Sequence, residues 1–250
     1  MIARHVFPAL RRFAAFARTE LTALAALLIA VLGVMAFIEL ADDMTEADGQ
    51  MTDRFVLEAL RTNGDPADPI GPHWLEEAAA DITSLGGIAV LGLFALIAVG
   101  FLVIQRKWLS ATLLPIGLAV GVALSEGLKA LFERERPPVE YQAVETLNAS
   151  FPSGHALLST VFYLTVGVML ARAFPQRRFK VFVIAVAVLI AALVGLTRIY
   201  LGAHWANDVL AGWAIGAAWA CVLALIAYGV ERLMKARHAP LQDETVDEGD

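Results

Sequence analysis

Residues 179–208 read FKVFVIAVAVLIAALVGLTRIYLGAHWAND. Between Phe179 and Ile199 the only charged residues are Lys180 and Arg198, one near each end. Crossing the hydrocarbon core of a bilayer takes roughly 20 apolar residues as helix, so this stretch is long enough to span one. It is apolar on nearly every side, whereas a helix of a soluble protein would carry a single stripe. Directly after it, His204 follows Arg198 by six residues and Asp208 follows His204 by four. A long greasy segment with ionisable groups gathered at its edge is the pattern that organises the whole chain.

Composition agrees. The 250 residues are 58% hydrophobic and 18% charged, with a mean hydropathy of +0.66, while charged residues make up about a quarter of an ordinary soluble domain. Six stretches qualify as spans: Leu21–Leu40, Gly86–Ile104, Trp108–Leu131, Ala156–Phe174, Phe179–Ile199 and Trp205–Val230. The expected fold is therefore all-α, a polytopic membrane protein built as a six-transmembrane-helix bundle, and a soluble enzyme is excluded by segment length. The first apolar run is longer than the 7–15 residues of a signal-peptide core and is followed by Glu39, Asp42, Asp43 and Glu46 with no small-x-small cleavage site, so it reads as a retained span.

Alternate gaps between the spans carry Lys and Arg in the ratio 13 against 6. The richer side should face the cytoplasm, which puts both termini inside. The poorer side holds Lys129, Arg136 and Arg198, and function would explain their breach of the rule. Residues 41–83 form an acidic outer connector with turns at Asn63-Gly64 and at Pro66, Pro69 and Pro72. Within it, Phe55, Val56, Ala59 and Leu60 suit a short amphipathic helix on the bilayer surface, either a packed connector or a lid. Residues 1–239 would make one domain and the acidic tail 240–250 a disordered segment. Cys221 is the only cysteine, so no internal disulfide or cysteine-based metal site is expected. No glycine-rich nucleotide-binding loop and no nucleic-acid partner are indicated.

Three clusters carry chemistry. Lys129 lies seven residues before Arg136-Pro137, at the edge of the third span; Arg can grip two phosphoryl oxygens in a planar fork, although snorkelling or pairing with Glu126, Glu133 or Glu135 would also account for these cations. Pro152-Ser153-Gly154-His155 opens the fourth span. There Ser153 is a natural cap, Gly154 admits an anion close to the backbone, and free N–H groups favour phosphate; the bland alternative is a capped helix with an incidental histidine. His204 and Asp208, one turn apart, share a helical face, where the carboxylate can fix one ring nitrogen and leave the other free to attack, or can simply link two helix ends. All three clusters fall on the outer side, the geometric condition for one shared site. The Asn148-Ala149-Ser150 sequon bears only on a eukaryotic secretory host.

Taken together, Lys129…Arg136-Pro137, Pro152-Ser153-Gly154-His155 and Thr197-Arg198…His204…Asp208 resemble the three-part signature of the type 2 phosphatidic acid phosphatase (PAP2) superfamily, with Thr197 where that family usually has Ser. The resemblance implies a bundle with a PAP2/haloperoxidase-like core and assigns the roles. His204 would be the nucleophile that forms a phosphohistidine, oriented by Asp208. His155 would protonate the leaving oxygen. Lys129, Arg136, Arg198, Ser153 and the Gly154 amide would hold the phosphoryl oxygens. It implies no cofactor and no metal, the cations taking that place. The partners expected are a phosphorylated lipid and the bilayer. The location expected is a bacterial inner membrane with the site facing outward.

The six-span plan and the Ile82–Gly87 approach to the second span look like bacterial members of the family, which act on undecaprenyl pyrophosphate, phosphatidylglycerol phosphate or phosphatidic acid; undecaprenyl pyrophosphate or a broad lipid-phosphate specificity is favoured. A lipid phosphotransferase using the same site is one alternative and a transporter another. Against the transporter, the charges gather at helix ends and no paired discontinuous helices are evident.

Overall fold

The computed structural model describes residues 3–144 and 148–237, with side chains from residue 20 onward; the 240–250 tail lies outside the described residues. Eight α-helices are found among them: α1 (Ala3–Asp43), α2 (Ala47–Ala59), α3 (His73–Ser84), α4 (Ile88–Ile104), α5 (Trp108–Phe132), α6 (Gly154–Ala173), α7 (Arg177–Tyr200) and α8 (Ala206–Arg237). A two-stranded antiparallel hairpin, β1 (Arg61–Thr62) and β2 (Asp65–Pro69), separates α2 from α3. Within α1, the part from Glu20 to Asp43 is long and apolar enough to cross a membrane, as are α5, α6, α7 and α8. Helix α4, at 17 residues, falls short of the usual length. It qualifies only together with α3, from which it is bent by 51°, so the described residues hold five spans by length and composition, and six where the bent pair is counted as one.

α6 is the centre. Every residue from Ala156 to Phe162 is buried, on all sides of the helix, because α4, α5, α7 and α8 each pack against it. Leu91, Leu114, Leu157, Leu158, Val161 and Phe162 make the main core between α4, α5 and α6, closed by Leu223 of α8. α1 lies against α8, with Tyr228 and Arg232 of α8 both donating to the Glu20 carboxylate, at 2.9 and 3.0 Å. Outward-facing Leu24, Leu28, Ile97, Phe182 and Leu189 are all more than half exposed. In water they would be a liability; in a bilayer they are the lipid-facing surface.

At one end of the bundle, α1, α5 and α7 finish and α4, α6 and α8 begin. Phe37 of α1, Phe132 of α5 and Phe151 just before α6 stack there, with ring centroids 5.0–6.1 Å apart. This alternation is what six successive crossings require.

The connector is more ordered than its composition suggests. α2 covers the expected amphipathic segment: Leu57 is buried, Val56 and Leu60 pack against Ala156, Ile199 and Val209, and Phe55 points outward. α3 is a second helix, not expected from the acidic residues Glu76, Glu77 and Asp81, and its Ala79 and Thr83 are buried where it packs on α7. Arg61, also buried, donates to the carbonyls of Leu60, Tyr200 and Tyr141 at 3.0, 3.0 and 2.7 Å. It thereby ties the hairpin to the end of α7 and to the 3₁₀ turn Val139–Tyr141.

The turn after α7 needs Gly202. Its φ is +67°, and a Cβ there would run into the Tyr141 carbonyl oxygen and the Arg61 guanidinium. Replacing Gly202 by Ala should therefore add a backbone cost of about 1–3 kcal/mol to a backbone collision. We expect a clear fall in the thermal unfolding midpoint of the purified protein in detergent; an unchanged midpoint would contradict this account of the turn.

Candidate active site

Each ionisable residue singled out in the sequence lies at this end of the bundle, because each sits in a last helical turn, a first helical turn or the loop between. Lys129 is in the last turn of α5. Its Nζ donates to Glu126 Oε1 at 2.9 Å and would be 3.4 Å from a Cβ on Gly154. Ser125 Oγ would be 3.0 Å from the same point. A side chain at 154 would push these groups away from the start of α6, so the glycine lets the lysine reach the helix N-terminus. Ser153 caps that helix, accepting from Ala156 N, and its own N–H donates to the Asp208 carbonyl at 2.9 Å.

Arg136 crosses the mouth of the site. Its Nε donates to Asn148 O at 2.5 Å, its Nη1 to Ala203 O at 2.7 Å and its Nη2 to Ala149 O at 3.3 Å. Burial draws this guanidinium below its ordinary value, opposed by Asp208 and Glu126. Nη1 also lies 3.2 Å from His204 Nε2. Arginine has only donors, so Nε2 carries the lone pair and Nδ1 the proton. Nδ1 faces Asp208 Oδ2 at 3.3 Å, and the ring is thus held in one tautomer by groups on both sides. His204 is 2% exposed. Burial pushes it down to about 4, with Asp208 pulling the other way and Arg136 and Arg198 reinforcing the fall. It is neutral at neutral pH.

Arg198 is buried; its Nη1 donates to Thr83 Oγ1 at 3.4 Å and its Nε has no partner among the described residues. A buried guanidinium with an idle N–H is costly unless an anion meets it. His155, in the first turn of α6, lies within electrostatic reach of Arg198, His204, Lys129 and Arg136, and its Nε2 would be 3.9 Å from a Cβ on Gly87 at the start of α4. His204 and the three cations thus all lie near His155. Thr197, the departure from the family pattern, turns its hydroxyl back to Val194 O at 2.7 Å. It makes no contact with the site that Ser would need to replace.

Asp208 has no exposed surface. Its Oδ2 receives His204 Nδ1, the Trp205 N–H at 3.0 Å and the Ser150 hydroxyl, while its Oδ1 receives Arg134 Nη1 at 2.5 Å. Arg134 also donates from Nη2 to Asp53 Oδ2 at 2.6 Å. Burial raises the Asp53 carboxyl above its usual range, while the Asn207 N–H and Arg134 pull it down. Sequence reasoning missed all three of these residues. Arg134 sits in a Glu-Arg-Glu-Arg run that resembles a solvated charge cluster, Ser150 in a glycosylation sequon, and Asp53 in an acidic connector. The only signal in the chain is the near repeat Arg134-Glu-Arg136, which sets two arginines beside one proline stop.

The chain is similar to known proteins over much of its length. The family model described as the PAP2 superfamily matches residues 110–232. Phosphatidylglycerophosphatase B of Bacillus subtilis is 33% identical over 145 residues, 57% of this chain and 70% of that protein. The undecaprenyl-diphosphatase of Sulfolobus acidocaldarius is 30% identical over 120 residues, 46% of this chain and 54% of that one. Among solved structures, the transmembrane PAP2-type phosphatidylglycerolphosphate phosphatase from Bacillus subtilis superposes with a TM-score of 0.72 at 28% identity, covering 82% of this chain and 96% of the other. Helix order, the gathered motifs and these likenesses converge: the chain belongs to the PAP2 superfamily, as a lipid phosphatase with the transmembrane fold of that family.

Proposed function

We propose that this phosphatase hydrolyses the terminal phosphate of a membrane lipid through a phosphohistidine at His204, on the outer face of the membrane and without a metal. The observation that carries the reading is the way His204 is held, with Nδ1 toward Asp208 at 3.3 Å and the Nε2 lone pair 3.2 Å from Arg136 Nη1, among the cations of the site. A lone pair aimed at a phosphorus atom held by cations is what nucleophilic transfer needs. His155, which takes up a proton as the phosphate's negative charge settles beside it, gives that proton to the leaving oxygen; it then takes a proton from the water that frees phosphate from His204. Arg136 lets go of Nε2 as a phosphoryl oxygen takes its N–H. The Gly154 amide at the start of α6 adds a backbone donor. The excess of Lys and Arg on the opposite ends of the spans supports an outward-facing site.

The lipid chain has a natural seat. An apolar groove of about 390 Å³ runs between α4 and α5, lined by Leu91, Leu96, Val99, Leu118 and Val122 and starting at Ile88, the residue after Gly87, which neighbours His155. A long chain in the groove would bring its phosphate toward His155, the group assigned to the leaving oxygen. Nothing in such a groove selects one chain chemistry, which fits a broad lipid-phosphate specificity extending to undecaprenyl pyrophosphate. The relatives' names span phosphatidylglycerophosphatase B, undecaprenyl-diphosphatase and lipid A 1-phosphatase.

Replacing His204 by Ala should abolish phosphate release from phosphatidic acid, phosphatidylglycerol phosphate and undecaprenyl pyrophosphate in detergent micelles, and should abolish acid-labile label trapped from ³²P-substrate; substantial residual turnover would overturn the mechanism. Excess EDTA should leave turnover of the unmutated enzyme unchanged. In nitrogen-15 histidine spectra the His204 ring should keep its Nδ1–H form through neutral pH and protonate only near 4; a midpoint near 6.5 would contradict the buried, cation-flanked site. Gly92 lines the groove, and a Cβ there meets nothing within 4 Å, so Gly92→Phe should fill the groove at little cost to folding. Its KM should rise about tenfold or more for long-chain lipids, the scale of one lost bulky apolar contact, with little change for a short water-soluble phosphate monoester. An equal effect on both substrates would place the chain elsewhere.

A further inference from the structure

We propose that Arg134, held in place by Asp53 of α2, is a positioning residue for the reaction: it fixes the Asp208 carboxylate and through it the ring of His204, so that the docking of α2 and the readiness of the nucleophile are one event. The inference rests on His204 being the nucleophile.

Asp208 is fully buried, and three of its four donors converge on Oδ2. Oδ1 has Arg134, the only cation that touches this carboxylate among the described residues. Without it, Oδ1 would be a buried charged oxygen with no donor, and the carboxylate, still charged, would be free to rotate and to carry the ring of His204 out of line with it. Arg134 contributes through its backbone as well, since its carbonyl accepts from Ser150 N at 2.8 Å and so positions the hydroxyl that reaches Oδ2. The Trp205 ring lies 5.8 Å beneath the guanidinium.

Arg134 in turn needs Asp53. That side chain is 1% exposed and divides its oxygens, Oδ2 to Arg134 at 2.6 Å and Oδ1 to Asn207 N at 3.0 Å in the first turn of α8. It is the one acidic residue of α2 that faces inward, beside Leu57. Stability alone is a weak reason for this arrangement: a buried guanidinium between two carboxylates costs desolvation that an apolar cluster would not. Control of a working carboxylate is a sufficient one.

The test uses the full-length enzyme in detergent, with phosphate release from a short-chain phosphatidic acid and the nitrogen-15 titration of the His204 ring. Asp208 of α8, Arg136 of the loop before α6, Arg198 of α7 and His155 of α6 are the charged and titratable groups that face this ring. Arg134→Gln should lower kcat about 10–100-fold, the range seen when groups that orient a working histidine are removed, with KM little changed. It should also raise the pH at which the ring titrates, because Asp208 then acts on His204 without its offsetting cation. Arg134→Lys should recover part of both. Asp53→Asn keeps the acceptor for Asn207 N and removes the competing charge, leaving Arg134 wholly to Asp208; kcat should fall less and the ring should not titrate at higher pH. The inference is overturned if folded Arg134→Gln keeps kcat within about threefold, below that range, or loses kcat while the ring titration stays put, which would make the pair mere scaffold. If Arg134→Gln does not fold, an Asp53→Asn enzyme unchanged in kcat and in Tm overturns it equally. Activity surviving in His204→Ala would instead sink the parent mechanism, since the ring titration reads Arg134 whether or not the ring attacks phosphorus.

Discussion

The Asp208 carboxylate is the junction on which the outer end of this protein is built. Its two oxygens collect a guanidinium from the loop after α5, a hydroxyl from the segment before α6, the backbone N–H of Trp205 and the ring of His204. Its backbone carbonyl receives the N–H of Ser153, the cap of α6. A carboxylate with no exposed surface could not stay charged without such company. The demand runs the other way too: segments far apart in the chain are obliged to meet because each supplies a donor that this one buried charge requires.

That junction is possible only because the helices beneath it approach closely. α6 is enclosed on every side, and α8 lies on it with so little between them that a Cβ at Gly212 would come within 2.7 Å of Ser153 O. Close approach of α6 and α8 at this level sets Ser153 against Asp208. The apolar core lower down, around Leu157, Leu158 and Val161, holds the two helices in register, so the polar end is positioned by packing it does not share. Lipid supplies no hydrophobic drive between helices, which leaves small residues and hydrogen bonds such as Trp213 Nε1 to Ala191 O and Trp219 Nε1 to Gly117 O, at 3.0 and 2.9 Å, to hold the bundle together.

The helical bundle and the gathering of Lys129, Arg136, His155, Arg198, His204 and Asp208 can be read from the sequence for a common reason. Lipid-facing helices need long apolar runs, so any charge at their edges stands out. Beyond those edges the signal fades. α3 is hidden because its inward residues are Ala79 and Thr83, which give little hydrophobic periodicity beside Glu76, Glu77 and Asp81. Its 51° bend from α4 falls at Gly86-Gly87, between the end of α3 and the start of α4. Asp53 and Ser150 are invisible for a related reason: a polar residue in a polar loop reads as solvated, and only the fold reveals that both are buried on one carboxylate. Arg134 and Arg136 are two residues apart and alike in composition, yet one grips Asp208 and the other lies against the free nitrogen of His204. No spacing rule separates those roles.

Charge balance then bears on which phosphates the site can hold. Arg134 is matched by Asp53 and Asp208, and Lys129 by Glu126. Arg136 and Arg198 have no carboxylate within ion-pair distance among the described residues; their partners are backbone carbonyls, a hydroxyl and an imidazole nitrogen. The space beside His204 and His155 is therefore two positive charges in excess, in surroundings where water does little to screen them. A terminal phosphate monoester carries about −1.5 to −2 at neutral pH and cancels that excess, whereas the diester of an ordinary phospholipid carries a single charge and leaves one cation unmatched. On the proposed reading, in a bilayer made mostly of diesters this difference would do more to choose the substrate than the lipid chain could, since an apolar groove accepts any chain that fits. On the proposed mechanism the arrangement separates two tasks: Arg136 and Arg198, which have no carboxylate partner, would recognise the end group, and the paired Arg134 would keep the carboxylate that orients His204 from being drawn into that recognition.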